Sequence, residues 1–131
     1  MPVRFVPPEI VPILHHDLIK RYGGRQGLRD IRLLDSALAQ PKMTVGSKHV
    51  HRTLFDKAAA YGFHISRNHP FIDGNKRVAF VIMDIFLQIN GWEIVASEKE
   101  AYSMMIDLVG GNLSKTALSQ WLRKHSTRLI K

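Results

Sequence analysis

Between Val78 and Ile89, ten of twelve residues are apolar, and only Asp84 and Gln88 interrupt the run. The run falls short of the roughly 20 residues that cross a bilayer, so no transmembrane segment is expected. Coiled as a helix, it points apolar side chains in nearly every direction and needs partners all round, which makes it the expected central helix of a bundle. The rest of the chain supplies those partners. Ile10, Ile13, Leu14, Leu18 and Ile19 step by three and four up to a stop at Tyr22-Gly23-Gly24. Asp30 is placed to cap a second helix carrying Leu33, Leu34, Ala37 and Leu38, which Gln40-Pro41 closes. A third helix over Thr53–Arg67 puts Leu54, Ala58, Tyr61 and Ile65 on one side, and His69-Pro70 ends it. Ser97 with Glu100 forms a capping box for a fifth helix, and Ser114 opens a sixth with Leu118, Trp121 and Leu122. Lys42–His51, around Gly46-Ser47, reads as an exposed loop or short hairpin, and Trp92–Val95 is long enough only for a small strand. The expected fold is all-α: one compact domain over residues 1–131, with about six helices, a central buried helix and a short hairpin.

Composition narrows the chemistry. The chain has no cysteine, which excludes a disulfide scaffold, a thiolate metal site and a cysteine nucleophile, and suits a reducing compartment. Met1–Glu9 carries three prolines and no apolar core of a signal peptide, so a cytoplasmic location is expected. The net charge is +8, with ten basic and five acidic side chains in residues 1–65 and nine and six in residues 66–131. An excess spread in this way suits an anionic ligand, nucleic acid or an acidic protein partner.

The densest polar cluster is His69-Pro70-Phe71-Ile72-Asp73-Gly74-Asn75-Lys76-Arg77, in the turn that enters the most apolar helix. A helix N-terminus offers unpaired N–H groups and a partial positive charge, which together suit an anion. Gly74 lets backbone approach a ligand closely, Asn75 adds an amide, and Lys76 and Arg77 add cations suited to phosphate. The Asp73 carboxylate suits a hard cation such as Mg²⁺ bridging phosphate oxygens. His69 carries the side chain whose ordinary pKa best suits proton abstraction near neutral pH. Base, metal ligand and phosphate cradle in one loop point to phosphoryl or nucleotidyl transfer. Singly, each residue has a plain structural use: Asp73 as a cap, Gly74 as a turn, His69 as a surface side chain. Phe71 reads as an anchor of the loop on the core.

Other motifs fail. The phosphate loop G-x-x-x-x-G-K-[ST] is missing its first glycine and its hydroxyl, and no two histidines have the spacing of HExxH. His15, His16, His49, His51 and His64 read as surface or partly buried structural residues. Lys115–Arg128 is basic and contains Trp121, features shared with nucleic-acid-binding helical modules, but Leu118, Trp121 and Leu122 have core spacing. Direct nucleic-acid binding is therefore not expected.

His69–Arg77 fits the pattern H-x-F-x-D/E-G-N-x-R at each defined position and resembles the signature of the Fic/Doc (Fido) superfamily. Arg21-Tyr22-Gly23-Gly24, Gly27-Leu28-Arg29-Asp30, Leu33–Leu38, Gln40-Pro41, Asn90-Gly91 and Trp121-Leu122-Arg123 are similar to its death-on-curing (Doc) toxin branch. The resemblance implies an ATP- and Mg²⁺-dependent transferase, the toxin of a toxin–antitoxin pair. Its target would be a serine or threonine of a cytoplasmic protein, with a translation factor the expected class. It implies His69 as base, Asp73 as magnesium ligand, and Gly74, Asn75, Lys76 and Arg77 as the phosphate cradle, with Lys76 and Arg77 also acting in the reaction. Lys42–His51 lies where the family has its substrate-docking flap. Two departures bear on which group moves: Lys76 stands where AMP-transferring members have glycine, and Phe80 where they have a second arginine. Both favour γ-phosphate transfer over AMP transfer. No S/T-x-x-x-E-G/N inhibitory element is present, so control would come from a separate antitoxin.

Overall fold

The computed structural model describes residues 2–130. Among them six α-helices form the body: α1 (Ile10–Tyr22), α2 (Ile31–Ala39), α3 (Leu54–Asn68), α4 (Asn75–Ile89), α5 (Glu98–Val109) and α6 (Lys115–Lys124). A 3₁₀ turn, Gln40–Lys42, follows α2. The hairpin β1 (Thr44–Val45) and β2 (Lys48–His49) pairs Thr44 with His49 and Val45 with Lys48 around Gly46, whose φ is 64°.

The helix starts follow their caps. The Asp30 carboxylate accepts the Arg32 N–H, Thr53 with Asp56 and Ser97 with Glu100 form reciprocal capping boxes, and the Ser114 hydroxyl accepts the Ala117 N–H. An unforeseen strand, β4 (Ser126–Arg128), pairs antiparallel with β3 (Trp92–Ile94) and seats the C-terminal segment against the turn after α4.

The innermost helix is α3, which corrects the expectation for α4. Helix α3 packs against α2, α4, α5 and α6 and buries Phe55, Lys57, Ala58, Ala59, Ala60, Tyr61, Gly62 and Ile65. On α4, Val81 and Ile85 are only half-buried and Ile89 is exposed. Bulk misleads here, because a central helix is wrapped closely when its side chains are small. Gly62 shows why: a Cβ added there would fall on the Met83 side chain, which α4 packs in full burial.

On α1 the inward stripe is Val11, His15, Leu18 and Ile19, whereas Ile13 is 69% exposed. A histidine occupies the place that periodicity assigned to an aliphatic residue. The sixth helix turns Leu118 and Leu122 fully into the core, as their spacing predicts.

Overpacking a close-packed contact costs about 1–3 kcal/mol. Gly62→Val is therefore expected to lower stability by about 2 kcal/mol or more in urea denaturation. An unchanged midpoint would contradict the close approach of α3 and α4.

His64 supplies a pH test. Burial, and next the Lys115 ammonium, hold its pKa down at about 4. The unfolded chain therefore takes up this proton first as pH falls, so the neutral ring's stability contribution is full above about 6.5 and is lost progressively toward 4. His64→Gln is expected to flatten the fall in melting temperature across that window.

Candidate functional site

His69 ends α3 with φ 52° and ψ 55°, the only positive-φ residue other than glycine among those described. That left-handed conformation turns the chain sharply, so Pro70–Gly74 crosses from the end of α3 to the start of α4. Helix α4 begins at Gly74, φ 78°, and no side chain caps it, so its first turn has donors to offer a ligand.

The Asn75 side chain clasps the loop. Its Oδ1 accepts the Phe71 N–H at 2.9 Å, and its Nδ2 donates to the Phe71 carbonyl at 2.8 Å. Those two bonds fix the amide's orientation, so Nδ2 also donates to His69 Nδ1, 3.1 Å away. In a neutral imidazole the accepting nitrogen carries no hydrogen, so the proton sits on Nε2 and the lone pair on Nδ1.

Two earlier segments brace the same loop. Arg29 donates from Nε to the His69 carbonyl at 2.8 Å and from Nη2 to the Asn68 carbonyl at 2.9 Å. The Arg29 and Asp30 N–H groups both donate to the Pro70 carbonyl, and Ile72 N–H donates to Gly27 O. From α1, the His15 ring stacks on the fully buried Phe71 ring, centroids 3.8 Å apart, and its Nε2 donates to the Asp73 carbonyl at 2.7 Å. Phe71 is thus the anchor its position suggests.

The Asp73 carboxylate is exposed. Oδ2 accepts the Arg25 N–H and Oδ1 the Gly74 N–H, and these bonds, first Arg25 and then Gly74, lower its pKa below the usual carboxylate value. Gly24 makes the arrangement possible, because a Cβ there would lie 2.8 Å from Asp73 Oδ2. The side-chain cations flank the mouth: Arg77 lies over the Tyr22 ring at 5.0 Å, and the Lys76 ammonium lies 5.2 Å from the Tyr102 ring.

His69, Asp73, Gly74, Asn75, Lys76 and Arg77 all line one pocket of about 430 Å³, closed by Gly23, Ser66 and Val109. Every site residue expected from the sequence is therefore brought together. Three further residues at the site carry no local signal in the sequence: His15, Arg29 and Ser66, whose buried hydroxyl is unpartnered among the described residues. Phe80 lies in a side groove with Lys76, Arg77 and Tyr102, between α4 and α5.

The hairpin root joins the N-terminal end of α3, while His69 is at the C-terminal end, about 20 Å away along a 15-residue helix.

Among the described residues no three His, Cys, Asp or Glu side chains converge on a metal position. Asp73 still fits Mg²⁺, which takes one or two carboxylates and draws its other ligands from phosphate and water.

Fold and site together define a helical protein whose pocket is built by an H-x-F-x-D-G-N-x-R loop at the start of a helix. Residues 5–87 match the Fic/DOC family, and the chain belongs to it. It is 44% identical over 75 residues to a "Toxin Doc" of Mycolicibacterium smegmatis (strain ATCC 700084 / mc(2)155), covering 57% of this chain. The match spans 58% of that relative's length. It is also 29% identical over 122 residues to the "Protein kinase doc" of Escherichia phage P1, covering 93% of this chain and 95% of the phage protein. No helix among the described residues is long and apolar enough to cross a membrane.

Asn75→Asp would set an oxygen against the Phe71 carbonyl and against Nδ1. It is expected to cost about 1–3 kcal/mol and to move the His69 proton to Nδ1. Long-range ¹H–¹⁵N spectra of the ring would show the change of tautomer. An Nε2–H tautomer unchanged in the variant would contradict the clasp.

Proposed function

We propose that this protein transfers the γ-phosphate of ATP to a serine or threonine hydroxyl of a target protein. The observation that carries the reading is the convergence of His69, Asp73, the uncapped start of α4, and the Lys76 and Arg77 cations on one pocket. Phosphoryl transfer needs little covalent help from a protein, and positioning with charge neutralisation does most of the catalysis.

The α4 N-terminus and the two cations hold the phosphates, with Gly74 allowing close backbone approach. Mg²⁺, held by Asp73 and phosphate oxygens, would neutralise charge that builds on the transferring group. The acceptor hydroxyl gives its proton to the His69 lone pair while its oxygen bonds to the γ-phosphorus. The bond from that phosphorus to the bridging oxygen breaks, and ADP leaves. Because Asn75 holds the lone pair at 3.1 Å, the hydroxyl has to replace that contact, and Asn75 acts as gate as well as brace.

Three things support γ-phosphate over AMP transfer: Lys76 in the cradle, Phe80 in the place of a second cation, and the kinase name of the phage relative that aligns over most of both chains. The biological role we propose is that of a toxin restrained by a separate antitoxin protein, acting in the cytoplasm on a translation factor. An extended segment of the target would pair with the hairpin edge by backbone hydrogen bonds.

ATP labelled separately at the α and γ positions tests the reaction. γ label on the target supports phosphorylation, and α label would establish AMP transfer instead. His69→Ala is expected to lower the transfer rate about a hundredfold or more. A variant with full activity would remove His69 from the role of base.

A further inference from the structure

A second polar pocket, of about 360 Å³, opens at the hairpin root and is lined by Val50, His51, Asp56, Lys115, Thr116 and Ser119. It shares no residue with the catalytic pocket and lies toward the opposite end of α3, so the reading below stands apart from the proposed reaction.

His51 is 6% exposed, yet neither of its ring nitrogens has a hydrogen-bond partner among the described residues. The Gln40 carbonyl is nearby, but outside bonding geometry for either nitrogen. Buried polar atoms are nearly always paired, so this ring calls for a partner that the chain does not supply.

The surroundings say what kind of partner. Asp56, the one carboxylate here, is committed: Oδ1 accepts the Ser119 hydroxyl at 2.6 Å and Oδ2 the Thr53 N–H at 3.3 Å. Lys57 is buried and gives its Nζ hydrogens to the His51 and Arg52 carbonyls. Lys115 rests on the neutral His64 ring, Nζ to Nε2 3.1 Å, and pairs with no carboxylate among the described residues. Arg123 covers the Phe55 ring beside them. Three cations face one occupied carboxylate. Burial first, and then the Lys115 ammonium, push His51 below its ordinary pKa, so the ring is held neutral with one N–H to donate.

We propose that this pocket is a binding site for a single oxyanion, a phosphate or a carboxylate, held by His51, Lys115 and the Thr116 hydroxyl. The oxyanion supplies what the pocket lacks, acceptors for an imidazole N–H and an ammonium together with a balancing negative charge. Because Val50 and His51 close the hairpin, the bound anion ties the flap root to the first turn of α6.

The test uses the full chain and side-chain ¹H–¹⁵N spectra of its histidines near neutral pH. Inorganic phosphate and N-acetylglutamate amide are titrated separately, each against sodium chloride at equal ionic strength. A saturable shift of the His51 ring nitrogens, with its own midpoint whether or not His69 also responds, is expected for at least one of them. Response to phosphate alone assigns the site to free phosphate, response to the glutamyl probe alone assigns it to a protein carboxylate, and response to both assigns the site to either source. Lys115→Met should weaken binding roughly tenfold or more. Thr116→Val, on an exposed position, gives a second check, and an unchanged amide spectrum shows that each variant folds. Shifts that chloride reproduces, or that persist undiminished in Lys115→Met, overturn the site.

Discussion

One amide side chain decides the shape of the loop between α3 and α4. Asn75 satisfies the N–H and the C=O of Phe71 at once, and with its remaining hydrogen holds the ring of His69. A loop of six residues between two helices has too few contacts of its own to fix an imidazole in one orientation. The amide does this because it belongs to the first turn of α4, so the ring inherits the rigidity of a 15-residue helix. Arg29 and His15 fasten the other side of the loop to segments far earlier in the chain. The pocket is thus assembled from α3, α4, the Gly23–Asp30 turn and the end of α5, with α1 bracing the loop from behind.

The division of labour between helices follows from side-chain size. Helix α3 carries three consecutive buried alanines and a buried glycine, so four helices can approach it. Helix α4 carries the bulk that fills the spaces around it. The innermost position therefore goes to the less hydrophobic of the two, and both ends of that helix become useful: one presents His69, the other supports the hairpin root.

What the sequence discloses and what it conceals divide along physical lines. Helix caps are local, since an Asp, Thr or Ser and the N–H it captures lie within three residues of each other, and Asp30, Ser97 and Ser114 were all readable. The residues from His69 to Arg77 were readable for the same reason, being contiguous and chemically complementary. The outward turn of Ile13 was not, because it depends on His15 finding a ring to stack on 56 residues later. Arg29 reaches the His69 carbonyl across 40 residues, and β4 exists only because Trp92–Ile94 offers an edge to Ser126–Arg128. Neither has a local signal. Central placement of α4 was inferred from hydropathy alone, which measures how much a helix needs burial and not how many neighbours fit around it.

The backbone of His69 sets chemistry against folding at a single residue. The left-handed region suits glycine, tolerates asparagine, and costs other residues about 1–2 kcal/mol. The imidazole is therefore kept where the main chain would be more relaxed without it. Exchanging this side chain for glycine would relax the backbone and release the Asn75 hydrogen bond in one step, so conformational strain and a single ring contact are balanced against each other at this position.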